Sequence, residues 1–322
     1  MRLLVTGGAG YLGSVLVKIL LERTHSVRVL DNLSYGGDSL LSVWSHPNFE
    51  FVLGDIRDTE IVRRSLKGID AVIHLSAIVG DPACSRQPAL ARSVNIEASI
   101  SLLTECKRNN ISRFVFASTC SNYGKMKDPM GYVDETSELN PLSLYAETKV
   151  TVEKIVLDPS RTNDFCATSL RFATLFGVSP RMRFDLTLNE FTLEMLTKNR
   201  LSVYGGQFWR PYVHVEDAAR AVAFVLEAPI EQVRVQAFNV GSTDQNYQKL
   251  QLVELIRPYA PNAVVEYIKK EEDPRDYRVS FAKVRDVLGF KVTKTVPNGI
   301  HEVAKLILNK IIQDADNPKC RN

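Results

Sequence analysis

Cysteine pairs with the spacing of a metal or redox site are missing from this sequence. Only five of the 322 residues are cysteines, which is an odd number, and no two of them form a Cys-x-x-Cys pair. They are Cys84, Cys106, Cys120, Cys166 and Cys320. This scatter argues against a zinc site or a disulfide framework, so we expect free thiols in a reducing compartment and no metal centre.

The chain also lacks an excess of charge of one sign and a long hydrophobic run. Its 40 Lys and Arg residues are balanced by 37 Asp and Glu, which leaves a net charge of +3. We therefore expect neither nucleic acid nor a membrane surface as a partner. The apolar run Ala71–Gly80 is too short to cross a bilayer, and Leu3–Val5 leads directly into glycines, as a buried strand does. These features predict a cytoplasmic protein.

What the sequence does contain is a regular alternation of short apolar runs with longer segments of helical period. Over the first 180 residues this alternation predicts an α/β fold built on a doubly wound parallel sheet. The predicted strands are Leu3–Val5, Val27–Asp31, Phe49–Leu53, Ala71–Leu75, Phe114–Ala117 and Thr168–Phe172. The predicted helices are Ser14–Arg23, Thr59–Leu66, Glu97–Asn109 and Ala146–Leu157. Right-handed crossovers would place the carboxyl ends of the strands on one edge, where ligands of such sheets bind.

The character of the sequence changes after Gly177, which predicts a boundary between two parts of the molecule. A Ser-Pro pair, a Tyr-Gly-Gly turn and a stretch rich in basic and aromatic residues follow. We predict a cofactor domain at residues 1–175, with a return segment at about 205–240. Residues 176–204 and 241–322 would form a smaller α/β lobe that binds the substrate.

Three glycines follow the first predicted strand with the spacing G-x-x-G-x-x-G, at Gly7, Gly10 and Gly13. One permits a tight turn, one lets a pyrophosphate approach the backbone, and one permits close packing of helix on strand. A glycine cluster alone is often a plain turn. Here, however, Asp31 ends the second strand, where a carboxylate accepts hydrogen bonds from an adenosine ribose and repels a 2′-phosphate. This Rossmann pattern predicts NAD, rather than NADP, as the cofactor.

Tyr145 and Lys149 occupy positions i and i+4 of a predicted helix, a spacing that is also common on solvated helices. Removing hydride from a secondary alcohol requires a base, and free tyrosine, with a pKa near 10, is mostly protonated at pH 7. Half ionisation requires a fall of about three units, or roughly 4 kcal/mol. The Lys149 ammonium and a positive nicotinamide ring can supply energy of that order. Thr119, just past the fifth strand, can hold the same substrate oxygen.

Together these motifs resemble the extended short-chain dehydrogenase/reductase family, the NAD-dependent nucleotide-sugar epimerases and dehydratases. The resemblance covers nearly the whole chain, at Thr6–Gly13, Asp31–Leu33, His74–Ala77, Asn95, Ser118–Gly124, Tyr145–Lys149, Leu170–Gly177, Arg210–Asp217 and Phe238–Ser242. It implies that Tyr145 is the catalytic acid/base, that Lys149 holds the nicotinamide ribose, and that Thr119 orients the sugar hydroxyl. The predicted cofactor residues, besides Tyr145 and Lys149, are Gly7, Gly10, Tyr11, Leu12, Gly13, Asp31, Asn32, Asp55, Ile56, Leu75, Ser76, Ala77 and Asn95.

The two residues after Thr119 differ from those of the 4,6-dehydratases in that family. Those relatives carry an Asp-Glu pair, whereas this chain has Cys120 and Ser121. Without the two carboxylates, 4,6-dehydration is disfavoured. Cys120 is a candidate acid or base for epimerisation at C3 or C5, although a cysteine after a core strand is more often a small buried filler.

A nucleotide sugar carries a diphosphate, which requires cations and backbone donors from the second lobe. Arginines form three clusters there, and the resemblance implies that positions in them approach the diphosphate. For each arginine taken alone, the alternative to a diphosphate contact is a surface salt bridge with an acidic side chain. The predicted substrate residues are Thr174, Arg181, Arg183, Asn189, Arg210, Arg275 and Arg278.

The resemblance implies an enzyme that oxidises the sugar transiently at C4 and then returns the hydride, giving a 4-epimer. Net 4-dehydrogenation is an alternative, because residues 79–84 and 171–186 resemble a subgroup that includes a GDP-heptose 4-dehydrogenase. A non-catalytic NAD-binding protein is disfavoured, since Tyr145, Lys149 and Thr119 are all present. Relatives usually dimerise through two helices per subunit, here Glu97–Asn109 and Ala146–Leu157, so we predict a homodimer.

Overall fold

Strands and helices alternate along most of the chain. A computed structural model describes residues 1–126, 128, 131–161, 165–269 and 276–322. The strands are β1 (Arg2–Thr6), β2 (Ser26–Asp31), β3 (Phe49–Leu53), β4 (Ala71–His74), β5 (Arg113–Thr119), β6 (Cys166–Phe172), β7 (Thr174–Phe176), β8 (Arg200–Tyr204), β9 (Trp209–His214), β10 (Gln236–Val240), β11 (Asn246–Gln248) and β12 (Val264–Ile268). The helices are α1 (Tyr11–Glu22), α2 (Thr59–Leu66), α3 (Asp81–Arg86), α4 (Pro88–Arg92), α5 (Ser99–Arg108), α6 (Leu144–Val156), α7 (Thr187–Thr197), α8 (Val215–Glu227), α9 (Ile230–Val233), α10 (Lys249–Ile256), α11 (Ala282–Leu288) and α12 (Val296–Leu308).

Seven of these strands form one parallel sheet in the order β10-β6-β5-β4-β1-β2-β3. Successive residues of a strand point to opposite faces, and in β1 both faces are apolar. Leu3 and Val5 pack in one hydrophobic layer with Leu16 of α1, whereas Leu4 packs in the opposite layer with Leu102 of α5. Helices therefore cover both faces, and the predicted doubly wound parallel sheet is confirmed.

The predicted strands of the first 180 residues are all present, with ends within two residues of the prediction. The helix predicted at Glu97–Asn109 is present as α5, and a π-helical turn, Ser93–Ala98, precedes α5 and joins it to α4. Such widened turns are frequent near functional sites. This one carries Asn95, whose side chain bonds to a loop at the edge of the sheet.

The second part of the molecule packs around its own hydrophobic cluster. A small sheet, β11-β9-β7, and a parallel pair, β12-β8, are covered by α7, α10 and α12. Phe176, Leu188 and Tyr212 are buried together in this cluster. The loop that joins β7 to α7 is thereby held at the carboxyl edge of the parallel sheet. No helix in the described ranges combines the length and apolarity needed to cross a bilayer.

Candidate active site

The carboxyl ends of the parallel strands border a cavity of about 910 Å³. It lies where β1 neighbours β4, the point at which the strand order reverses and where doubly wound sheets bind ligands. Most of the predicted site residues line it. They are Gly7, Gly10, Tyr11, Leu12, Gly13, Asp31, Asn32, Asp55, Ile56, Leu75, Ser76, Ala77, Thr119, Tyr145, Lys149, Thr174, Arg181 and Arg183.

The glycines between β1 and α1 leave bare backbone at the cavity wall. Gly7 has a φ of 75°, and a Cβ added to it would lie 2.8 Å from the Ser76 backbone nitrogen. A Cβ on Gly13 would overlap the Gly7 carbonyl oxygen. The N-terminus of the 12-residue helix α1 therefore faces this space without side chains in the way, and its free N–H groups and dipole favour an anion.

Asp31, at the end of β2, places a half-buried carboxylate beside this glycine turn. Its Oδ2 accepts a hydrogen bond from the Ala9 backbone N–H at 3.0 Å, and its Oδ1 accepts one from Leu33 at 2.8 Å. Burial raises the pKa of Asp31, and the two N–H donors oppose that effect. Each carboxylate oxygen can accept a further bond, so the group is suited to the two hydroxyls of a ribose.

Asn32 and Asp55 complete the polar rim of the cavity on this side. The Asn32 amide donates to Asp55 Oδ2 at 3.3 Å. Hydrogen bonds from Arg57 lower the pKa of Asp55 to about 2, so its carboxylate is ionised at neutral pH. Ile56 beside it is almost fully buried and supplies an apolar wall.

Asn95 does not line the cavity, although it was predicted to contact the cofactor. Its Oδ1 accepts from the Ile78 backbone N–H at 2.8 Å, and its Nδ2 donates to the Ile78 carbonyl at 3.0 Å and to Thr148 at 3.2 Å. Asn95 therefore fixes the loop after β4, whose residues Leu75 and Ser76 do line the cavity, against helix α6.

Helix α6 brings the predicted catalytic pair, Tyr145 and Lys149, to the cavity. Ser143 caps its first turn by accepting from the Ala146 N–H. The Lys149 ammonium donates to the Ala117 carbonyl at 2.8 Å and lies 6.0 Å from the centre of the Tyr145 ring. Thr119, at the end of the neighbouring strand β5, accepts from the Ser121 N–H at 3.1 Å. Tyr145, Lys149 and Thr119 thus face the same space as the glycine turn.

Burial controls the protonation of this pair. It raises the pKa of Tyr145, and the Arg183 guanidinium acts in the opposite direction. Burial also lowers the pKa of Lys149 to about 8. At neutral pH Tyr145 is therefore a phenol, Lys149 is still mostly an ammonium, and additional positive charge in the cavity is needed before the tyrosine can give up its proton.

Four further predicted residues, besides Asn95, lie outside the cavity lining. Cys120 is buried, its thiol donates to the Arg171 carbonyl at 3.2 Å, and burial raises its pKa well above the usual range. The Asn189 amide is used within the protein, accepting from the Gly177 N–H and donating to the Arg183 carbonyl. Two arginines lie over aromatic rings instead, Arg210 over Tyr277 and Arg278 over Trp209 and Tyr132. Arg275 lies outside the described residues.

The sequence predictions omit several residues that do line the cavity. Leu186 and Thr187 lie at the start of α7, and Tyr277 approaches from the second part of the molecule. Asp81 begins α3 and accepts a hydrogen bond from Ser143 at 2.6 Å. A proline in the first turn of α3 is a local signal for this helix start, whereas no local pattern indicates that Leu186, Thr187 and Tyr277 meet there.

A family model matches the part of the chain that carries the glycine turn, the acidic strand end and the tyrosine–lysine helix. The model described as the NAD dependent epimerase/dehydratase family matches residues 3–241. The chain belongs to this family. The match contains β1 to β10, and with them the glycine turn, Asp31 and the Tyr145–Lys149 pair.

Individual members of the family resemble the chain over most of its length. It is 34% identical over 249 residues to the low-salt glycan biosynthesis protein Agl12 of Haloferax volcanii, covering 75% of this chain and 77% of that protein. It is 29% identical to a UDP-glucose 4-epimerase of Lactobacillus helveticus, covering 90% and 92% respectively. The solved UDP-glucose 4-epimerase of Thermotoga maritima with UDP-glucose superimposes with a TM-score of 0.85 at 26% identity, covering 97% of this chain and 100% of that one.

NAD is the cofactor of this family, and the cavity fits it. The bare backbone at Gly7 and Gly13 suits a pyrophosphate, and the Asp31 carboxylate suits a ribose with a free 2′-hydroxyl. When bound, NAD supplies an acceptor for a hydride and can return it. A 2′-phosphate would meet the Asp31 carboxylate, which disfavours NADP.

The buried ammonium of Lys149 is expected to destabilise the fold at neutral pH. Its pKa falls to about 8 in the folded chain, while an unfolded lysine keeps about 10.4, so stability rises with pH between these values. The full cost below pH 8 is about 3 kcal/mol, from which the lost bond to Ala117 subtracts about 1 kcal/mol. Lys149→Met should therefore stabilise cofactor-free protein by about 2 kcal/mol at pH 7.

Urea unfolding at pH 7 and at pH 10.5 measures this effect. Most of the gain should disappear at the higher pH, where the lysine is neutral in the folded chain and about half neutral in the unfolded chain. Lys18→Met, at a lysine 62% exposed, is the matched control and should change stability equally at both pH values. A Lys149→Met protein that is less stable than wild type at pH 7 would contradict the lowered pKa of Lys149 in the folded chain.

Proposed function

We propose that this enzyme is an NAD-dependent nucleotide-sugar 4-epimerase that works through a transient keto-sugar. The observation that carries the proposal is that Tyr145, Lys149 and Thr119 line the same cavity as the glycine turn and Asp31. Tyr145 would serve as the base, Lys149 as the cation and Thr119 as the hydroxyl that orients the substrate. Oxidation of a secondary alcohol requires such groups next to the cofactor.

Each of the three side chains has a role in the proposed reaction. Thr119 would hold the sugar hydroxyl, and Tyr145, ionised with the help of the positive charge of oxidised NAD, would take the hydroxyl proton while the hydride of the same carbon passes to NAD. Lys149 holds the nicotinamide ribose and adds positive charge near Tyr145. After the keto-sugar turns, the hydride returns to its other face and Tyr145 gives the proton back.

The residues after Thr119 support epimerisation over dehydration. Cys120 is buried with a protonated thiol, and Ser121 carries no charge, so neither supplies the carboxylate that elimination of water needs. The same buried thiol argues against epimerisation at C3 or C5 through Cys120. Relatives named UDP-glucose 4-epimerase, from Lactobacillus helveticus and Thermotoga maritima, are consistent with chemistry at C4.

We also propose that the substrate lies between the parallel sheet and the second lobe. Residues 1–175 with about 205–240 would hold the cofactor, and residues 176–204 and 241–322 the nucleotide. Thr174 and Arg183 line the cavity on the side of the second lobe, and Arg183 pairs with Asp185 through two hydrogen bonds. The homodimer through α5 and α6 stays a prediction.

Incubation of the purified protein with UDP-, GDP- and dTDP-sugars tests the proposal. Return of an isomeric nucleotide sugar, without accumulation of NADH, is the expected result. Net dehydrogenation is the second candidate, favoured by the departure from the usual 4-epimerase sequence around Thr174. Accumulated NADH with a stoichiometric ketone would establish it and exclude epimerisation as the main reaction.

A further inference from the structure

Residues 314–322 connect the two sides of the cavity. Arg321 and Asn322 line it. On the side of the parallel sheet, Arg86 donates to the Asn322 carbonyl at 3.0 Å, and Asn322 donates to the Val79 carbonyl at 3.4 Å. On the opposite side, the Phe184 N–H donates to the Cys320 carbonyl at 2.8 Å. We call residues 314–322 the strap.

Arg181 is the residue through which the strap approaches the predicted cofactor. Its Nη2 donates to the Arg321 carbonyl at 3.0 Å, and its guanidinium lies 3.9 Å from the centre of the Tyr35 ring. The positive charge of Arg181 also lowers the pKa of Asp31, against the effect of burial. Arg181 is 6% exposed, and its Nε has no hydrogen-bond partner among the described residues.

These contacts place Arg181 on the adenosine side of the cavity, although the sequence indicated the substrate diphosphate. Asp31 ends β2 and Tyr35 lies in the loop after it, where the adenosine ribose of NAD fits. Arg183 is only two residues further on, and its positive charge lowers the pKa of Tyr145, against the effect of burial.

We propose that Arg181 and the strap retain NAD, with the Arg181 guanidinium donating to a phosphate of the dinucleotide. The inference rests on the proposed function, because an epimerase must keep its cofactor between hydride removal and hydride return. The strap, bound on both sides of the cavity, would have to detach before NAD could leave. The slow step of NAD release is then opening of the strap.

Release of NADH from the reduced holoenzyme, followed by its fluorescence during a chase with excess NAD, tests this. Arg181→Met and a chain ending at residue 313 should each speed release about tenfold or more, since one charge-assisted hydrogen bond contributes about 1.5–3 kcal/mol. Arg285→Met is the matched control, because that arginine is exposed and pairs only with its neighbour Asp286 among the contacts described. UDP and dTDP affinities, measured by calorimetry on the holoenzyme, should stay within about twofold of wild type.

The outcomes separate the inference from the proposed function. If Arg181→Met weakens UDP and dTDP binding and leaves NADH release unchanged, Arg181 serves the substrate and the inference is wrong. If the shortened chain does not fold, Arg86→Met, which removes one anchor of the strap, decides by the same readout. A wild-type protein that binds no NAD would overturn the proposed function itself, whatever the variants do.

Discussion

Tyr145→Phe is expected to lower kcat by about 10³-fold, while leaving NAD binding and the fold unchanged. The phenol oxygen is the only atom removed, and it is the atom that exchanges the proton of the sugar hydroxyl. The ring remains to fill the same buried position beside Lys149. Turnover of the substrate identified by the nucleotide-sugar screen, together with NAD affinity, measures the effect.

A second tyrosine provides the control for this experiment. Tyr267, on β12, is 50% exposed, so Tyr267→Phe should retain wild-type turnover. If Tyr145→Phe also turned over normally, the proton would have to pass through another group and the proposed mechanism would be wrong. If NAD affinity fell together with kcat, the loss would reflect a damaged cofactor site rather than a missing base.

The cofactor half of the site could be predicted from the sequence because its determinants are local. Gly7 lies in the turn after β1, Gly13 lies in the first turn of α1, and Asp31 ends the next strand, so their spacing in sequence fixes their spacing in space. The Tyr145–Lys149 pair is equally local, since four residues span one helical turn. Parallel strands then bring these local motifs to one edge of the sheet.

Residues that act on distant backbone could not be placed in the same way. Asn95 and Asn189 are polar residues in helices, and the sequence does not reveal that their amides bind Ile78 and Gly177 instead of a ligand. Similarly, the contact of Arg181 with Arg321 joins residues 140 positions apart. Only the packing of the second lobe on the sheet determines such contacts.

The largest expected loss of stability comes from breaking a buried ion pair between α6 and β6. Glu153 of α6 accepts from Arg171 at 2.6 Å and from Ser169 at 2.8 Å, and the Glu153 and Arg171 side chains are 2% and 6% exposed. Breaking one partner of a buried ion pair leaves the other charge without compensation. Glu153→Gln should therefore lower the free energy of unfolding by about 3–5 kcal/mol.

Urea unfolding of Glu153→Gln and of Glu194→Gln tests this expectation. Glu194 is 27% exposed and pairs with Lys198 at the surface, so its replacement should cost less than about 1 kcal/mol. A similarly small loss in Glu153→Gln would show that Arg171 finds another acceptor. Arg171 also bonds to Tyr123, and its carbonyl accepts from Cys120, next to Thr119. Glu153 therefore holds Arg171 in place, and Arg171 in turn contacts Cys120, the neighbour of Thr119. The stability of the core is thus linked to the position of Thr119 in the candidate active site.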